Sequence, residues 1–274
     1  MGELVQVRVD SGVALFTLTA PPANTYSYEM MRELDAAILA ARMDERVHVV
    51  VITGSRPTAP VAGKKPAPEF FCAGADIKML EGANPYFKYN FCLHANETLQ
   101  RLEQTAKLVI AAINGHCVGG GLEVALACDL RIARKDAGKV GLPEVSLGVL
   151  PGTGGTQRLA RALGRSKSIE LMVEGKNLSI DEARGLGLVN EVVDCTAEAF
   201  LGEALAYAQR FVPPAKASRA VGMIKRAVTS GIEMELSSGL ALERELQQRL
   251  FEGEDAKEGI AAYNARRTPA FTGR

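Results

Sequence analysis

Apolar and polar residues largely alternate over Leu4–Val9, and an apolar-rich run follows over Val13–Thr19, with Asp10-Ser11-Gly12 between them. Two short runs of this kind on either side of a turn tripeptide predict two short strands. Pro21-Pro22 interrupts the chain, and the period then changes. Met31, Leu34, Ile38 and Ala41 recur at helical spacing, predicting a helix from a Ser27 cap to about Met43. Val47–Thr53 is a β-branched run without alternation, as expected of a strand buried on both faces.

Ser55–Glu69 contains Pro57, Pro60, Pro66, Pro68, Gly63 and the pair Lys64-Lys65, a loop composition. Phe70-Phe71-Cys72 returns to the core, and Asp76 is placed to cap a short helix. Tyr86–Thr105 predicts an amphipathic helix and Leu108–Ile113 a second buried strand, ending at Asn114-Gly115. Gly119–Cys128 has helical composition behind three glycines. From Gly155 onward helices dominate: Gly155–Leu163, Ser166–Val173, Ser179–Gly187, Ala197–Phe211, Ala215–Ser230, Glu233–Phe251 and Asp255–Arg266, with one short strand at Leu188–Val193. Strands first and helices later predict an α/β or α+β core with a helical C-terminal region. The best boundary is at Phe211-Val212-Pro213-Pro214, dividing 1–212 from 213–274.

Composition narrows the possible functions. Lysine plus arginine and aspartate plus glutamate both number 32, so the chain has no basic excess, and a dedicated nucleic-acid binder is not expected. A phosphate-bearing small ligand needs only local cations or backbone N–H groups and remains allowed. The cysteines are odd in number, five, and none has C-x-x-C spacing. Reduced thiols are expected rather than a disulfide framework or a zinc site. The first residues lack the apolar core of a signal peptide, and Gln6 stands where a myristoylation signal needs Ser or Thr. Runs such as Leu108–Ile113 are too short to span a bilayer. A soluble cytoplasmic protein is the expectation.

Three segments carry candidate chemistry. In Phe71–Ile77 (FCAGADI), small residues around Gly74 allow a backbone turn to approach a ligand and present N–H groups to an oxyanion. The same residues also suit a plain turn before a capped helix. In Asn114–Glu123 (NGHCVGGGLE), a strand feeds a glycine cluster that opens a helix, where free N–H groups and the helix dipole favour developing negative charge. Glu123 lies in the first turn, as a reactive group or as a simple complement to the dipole. In the third segment, Glu144 stands among Leu142, Val145 and Leu147. Burial there would raise its pKa towards neutrality and suit acid/base work; an exposed loop glutamate is the alternative. No P-loop, dinucleotide fingerprint or nucleophile elbow occurs. His48, His94 and His116 have no metal-ligand spacing. The first two read as structural, and His116 borders the glycine cluster. Cys72 and Cys117 read as packing residues.

Taken together and in order, FCAGADI, NGHCVGGGLE and GLPEVSLGVLPGTGGTQRL (141–159) resemble the crotonase, or enoyl-CoA hydratase/isomerase, superfamily. The likeness continues through SIDEARGLGLVNEV (179–192) and EGIAAYNARR (258–267), so it covers nearly the whole chain. It implies an α/β spiral of ββα units over 1–212 carrying the active site. It further implies a helical trimerisation region over 213–274, hence a homotrimer or a dimer of trimers. By position, the backbone N–H groups of Ala75 and Gly120 would form an oxyanion hole for an acyl-CoA thioester. Ala73, Ala75, Asp76, Ile77, Lys78, Gly119, Gly120 and Gly152 would contact substrate or its coenzyme A. Glu144 would protonate the α-carbon, and Glu123 would position and activate water. The resemblance implies neither a metal nor any cofactor beyond the coenzyme A of the substrate.

Both glutamates favour a hydro-lyase. The alternatives are a double-bond isomerase using Glu144 alone and a non-catalytic binding or scaffold trimer. Two stretches depart from the family's usual pattern. Ser55–Glu69 is longer than the expected turn, and Lys64-Lys65 would meet phosphates there or lie in a solvated loop. Pro22–Ser27 differs too, which leaves the acyl group open. Leu236, Leu240, Leu246 and Leu250 give the last helices apolar faces, to pack between subunits or within one chain.

Overall fold

The computed structural model describes residues 2–56 and 67–274. Lys64-Lys65 and most of the proline-rich segment around them lie outside the described residues. The chain begins with an antiparallel hairpin, β1 (Val5–Asp10) and β2 (Val13–Leu18), in which Val5 faces Leu18. Ser11 and Gly12 turn it with positive φ, 47° and 82°. Helix α1 (Tyr28–Met43) starts where the Ser27 hydroxyl accepts from the Met30 N–H. Strands β3 (Val49–Gly54) and β4 (Phe70–Cys72) follow, then α2 (Ile77–Gly82) and α3 (Pro85–Glu103). Next come β5 (Leu108–Ile113), β6 (His116–Val118), α4 (Gly120–Leu126), β7 (Leu130–Arg134) and β8 (Lys139–Gly141). A 3-10 turn at Glu144–Leu147 leads to α5 (Gly155–Leu163) and α6 (Arg165–Glu174). The chain continues through β9 (Asn177–Ser179), α7 (Ile180–Gly185) and β10 (Glu191–Val193). It finishes with α8 (Phe200–Gln209), α9 (Ser218–Gly231), α10 (Leu236–Phe251) and α11 (Glu254–Asn264).

The strands build two sheets. The larger runs β1-β2-β3-β5-β7-β10 and is parallel after the first hairpin; the smaller runs β4-β6-β8-β9 and ends in an antiparallel pair. Each successive pair, β3 with β4, β5 with β6 and β7 with β8, places one strand in each sheet before the chain returns through helix. This is a spiral of ββα units.

Both faces of the larger sheet are covered at its central strands β3 and β5, which explains their unbroken apolar runs. Val50 and Ile52 of β3 pack with α1 and α3, while Val49 and Val51 face Phe200, Ala204 and Ala208 of α8. The strands β6, β8 and β9 have three residues each, too few to display a period, and the sequence pattern does not reveal them.

Helix α9 docks on the chain's own core. Lys225 is 7% exposed, its Nζ lies 2.9 Å from Asp129 Oδ2, and it donates to the Leu102 and Lys107 carbonyls. Of the apolar positions expected on the last helices, Leu246 packs within the chain, whereas Leu236 and Leu240 are exposed. Among the described residues no helix is long and apolar enough to cross a membrane, and no three His, Cys, Asp or Glu side chains are grouped to hold a metal ion.

Candidate active site

Two backbone turns meet at the top of the smaller sheet. After β4 the chain turns at Gly74, whose φ of +95° suits glycine. Ala75 then runs beside Tyr26 as a parallel bridge: the Tyr26 N–H donates to Gly74 O at 2.9 Å and the Asp76 N–H to Tyr26 O at 3.0 Å. In that pattern the N–H of Ala75 itself points away from its neighbour. After β6 a second turn, at Gly119 (φ 57°), opens α4, so Gly120 contributes an unpaired first-turn N–H. A Cβ on Gly74 would stand 2.9 Å from Gly120 N, so the two turns touch. Among the described residues, no acceptor takes the N–H of Ala75 or Gly120. Two adjacent free donors at a helix N-terminus are suited to an oxyanion.

Glu123 follows in the first turn of α4 and is 2% exposed. Its Oε1 accepts from the N–H groups of Thr153 (2.8 Å) and Gly155 (2.6 Å), and its Oε2 accepts from the Thr153 hydroxyl. Gly155 is the first residue of α5, so the carboxyl group complements the N-terminus of α5 rather than that of its own helix. Burial pushes the Glu123 pKa up, against the downward pull of these donors and of Arg158.

Glu144 opens the 3-10 turn and reaches back to Gly119, where a Cβ would lie 3.1 Å from its Oε1. Its Oε2 is buried and, among the described residues, has no hydrogen-bond partner. Burial and then the charge of Glu123 push its pKa up to about 7. The burial arises differently from the sequence expectation. Leu142 is buried, but Val145 and Leu147 are 45% and 61% exposed. The carboxyl group packs against the glycine turn that opens α4, while Val145 and Leu147 turn to the surface.

Comparison with known proteins decides the family. The enoyl-CoA hydratase/isomerase family model matches residues 8–274. The chain belongs to the enoyl-CoA hydratase/isomerase family. A probable enoyl-CoA hydratase of Rhizobium meliloti is 39% identical over 98% of both chains. A short-chain-enoyl-CoA hydratase of Clostridium acetobutylicum is 36% identical over 96% of this chain and 95% of its own. A crystal structure from Geobacillus kaustophilus superposes with a TM-score of 0.92 at 41% identity, covering 100% of this chain and 98% of the other. An enoyl-CoA hydratase structure from Bacillus anthracis gives 0.87 at 32% identity, covering 99% and 100%. The mixed α/β spiral is therefore the crotonase fold, and the last helices are present in it.

Within this family member the expected site residues fall into two groups. Gly119, Gly120, Ala73 and Ala75 converge on the two turns with Glu144, and Glu123 with Gly152 lies on the α5 side. Gly152 sits against Cys92, its carbonyl accepting from Asn96 Nδ2 at 3.2 Å. Asp76, Ile77 and Lys78 lie further out, at the start of α2. The Asp76 carboxylate caps that helix through the N–H groups of Lys78 and Met79, and Ile77 is 53% exposed. His116 accepts from the Lys139 N–H and packs against Phe70, a structural role. Cys72 and Cys117 are buried, and burial pushes both thiol pKa values up, Cys72 to about 12.

Sequence reasoning missed Tyr26 and Thr153 as individual residues. Tyr26 is 2% exposed and its hydroxyl lies 3.1 Å from Thr153 Oγ1. The available signal was indirect: Tyr26 stands in the one stretch before the helix that departs from the family's usual pattern, and Thr153 lies inside the third motif.

Proposed function

We propose that this family member is a hydro-lyase that reversibly adds water across the 2,3 double bond of an enoyl-CoA thioester. The observation that carries the reading is the pair of carboxyl groups, half-buried Glu144 near neutrality and buried Glu123 held by three donors, beside two free backbone N–H groups. The thioester oxygen would rest on the N–H groups of Ala75 and Gly120, which stabilise it as it gains enolate charge; one such donor contributes roughly 3–4 kcal/mol in comparable sites. Glu123 would draw a proton from water as its oxygen bonds to Cβ. Glu144, half protonated near pH 7, would deliver a proton to Cα. Dehydration is the same path reversed. Ala73, Asp76, Ile77, Lys78, Gly119 and Gly152 would form the walls along which the acyl chain and coenzyme A lie. The coenzyme A of the substrate is the only cofactor this scheme requires. The helices of 213–274, with Leu236 and Leu240 exposed, would mediate assembly into a trimer or a dimer of trimers.

The test is loss of conjugated-thioester absorbance when the protein meets crotonyl-CoA, with Glu123→Ala and Glu144→Ala alongside. Hydration lost in both variants supports the reading. A second reading, a double-bond isomerase using Glu144 alone, is favoured by one observation: of the two glutamates, Glu144 alone has a buried oxygen without a hydrogen-bond partner among the described residues. Turnover that survives Glu123→Ala would select the isomerase and sink the hydro-lyase.

A further inference from the structure

Tyr26 touches three parts of the site. Its backbone pairs with Ala75, its hydroxyl abuts Gly120 so closely that a Cβ there would stand 2.1 Å away, and the same hydroxyl lies 3.1 Å from Thr153 Oγ1. We propose that Tyr26 is a positioning residue which, through Thr153, holds Glu123 ionised for the water-activating step. The inference rests on the hydration reading above and deepens it.

The argument follows the protons. Glu123 Oε1 accepts two backbone N–H groups, which leaves no room for a proton on that oxygen. A proton on Glu123 must therefore sit on Oε2, facing Thr153. When Glu123 is ionised, Thr153 donates its single hydroxyl proton to Oε2, and its oxygen accepts from Tyr26. Every proton then has an acceptor. When Glu123 is protonated, the order reverses. Thr153 accepts from Glu123 and donates to Tyr26, and the Tyr26 proton must turn elsewhere. Among the described residues Tyr26 Oη has no other partner, and a buried donor without one is costly. The Tyr26 hydroxyl stays protonated throughout, since burial and the Glu123 charge hold its pKa well above the usual phenol range. The hydroxyl pair thus opposes the burial that pushes Glu123 towards its neutral form.

The backbone N–H groups of Thr153 and Gly155 also favour the ionised form, but they act on Oε1 and do not involve the hydroxyl pair. Glu144, from the 3-10 turn, raises the same charge problem. Cys92 of α3 faces it as a thiol that burial keeps neutral. Arg158 of α5 favours the ionised form, but its guanidinium is engaged with Glu103 at 3.1 Å and with the Thr153 carbonyl. Tyr26 acts on one oxygen through one hydroxyl, so removing that hydroxyl isolates its effect.

The experiment uses the full chain as Tyr26→Phe, Thr153→Val and Thr153→Ser, with folding checked by circular dichroism. Two measurements run in parallel: the pH dependence of crotonyl-CoA hydration, and the carboxyl carbon-13 titration of Glu123 in labelled protein, assigned with Glu123→Gln. Tyr26→Phe and Thr153→Val are expected to raise the Glu123 midpoint by about half a pH unit or more, the scale of one lost neutral hydrogen bond. The acidic side of the kcat/KM profile moves up with it, kcat falls and KM stays near wild type. Thr153→Ser keeps the hydroxyl and the wild-type profile. An unchanged Glu123 titration in folded Tyr26→Phe overturns the proposal even if hydration is fully active. A shifted titration in a protein that hydrates no enoyl-CoA keeps the hydroxyl chain and overturns the hydration reading and, with it, the water-activating role.

Discussion

The backbone of Gly74 comes so close to that of Gly120 that a Cβ on Gly74 would stand 2.9 Å from the Gly120 nitrogen. This contact joins two segments 46 residues apart in the chain (120 − 74) and sets the spacing of the two free N–H groups. Backbone on both sides leaves nothing flexible to give way.

Gly74→Ala is therefore expected to damage both stability and turnover. The residue has φ +95°, which an alanine adopts only with strain of about 1–3 kcal/mol. Thermal melts should show that loss. Initial rates should show kcat falling further than KM rises, because the donors act on charge that develops in the transition state. A variant with wild-type kcat would show that the two turns do not hold an oxyanion.

Glu144→Gln is expected to lower hydration by about 10²–10⁴-fold, the usual contribution of one general acid. The pH profile gives a sharper check. Glu144 is protonated below its pKa of about 7 and ionised above it, so the acid is lost as pH rises. Wild-type kcat/KM for hydration should decline on the alkaline side with a midpoint near that value. The residual rate of Glu144→Gln should lack the decline.

Stability should also depend on Glu144. Its pKa is raised in the folded chain, so the unfolded state ionises first as pH increases. The sign follows: stability is full below the ordinary carboxylate range and is lost as pH rises from about 4.5 through about 7. Because the group is partly solvated, the loss is on the order of 1–2 kcal/mol. Glu123, raised for the same reason of burial, adds in the same direction. Urea titrations across this window should be flatter for Glu144→Gln than for the wild type.

Lys225→Met is expected to destabilise the chain by about 2–4 kcal/mol, because it leaves the largely buried Asp129 carboxylate without the Lys225 ammonium. The double variant with Asp129→Asn should recover part of the loss in urea melts. Equal stability of the single variant and the wild type would mean that α9 is held by its other contacts.

Several elements could be read directly from local pattern. The Ser27 cap and the apolar positions after it give α1, observed at Tyr28–Met43. Leu108–Ile113 and Gly155–Leu163 occur with the bounds their composition suggests. Capping and apolar periodicity act within one or two turns, so the residues that decide them are neighbours in the chain. The three-residue strands of the smaller sheet had no such signal. They are strands because Cys72, Cys117 and Val140 stand side by side in space, brought together from three successive turns of the spiral.

The motifs, with both glutamates and the three glycines, carried the resemblance to the family, and the family match over 8–274 bears that resemblance out. What the sequence determined by itself was the family, the set of candidate groups and the local turns beside them. The tertiary structure alone decided their environments. Glu144 reaches back to Gly119 while its neighbours Val145 and Leu147 stay exposed, Glu123 is received by the start of α5, and Tyr26 reaches Thr153 across 127 residues. The physical reason is that desolvation and hydrogen bonding depend on what surrounds a group in space, and for these three side chains those surroundings come from distant parts of the chain.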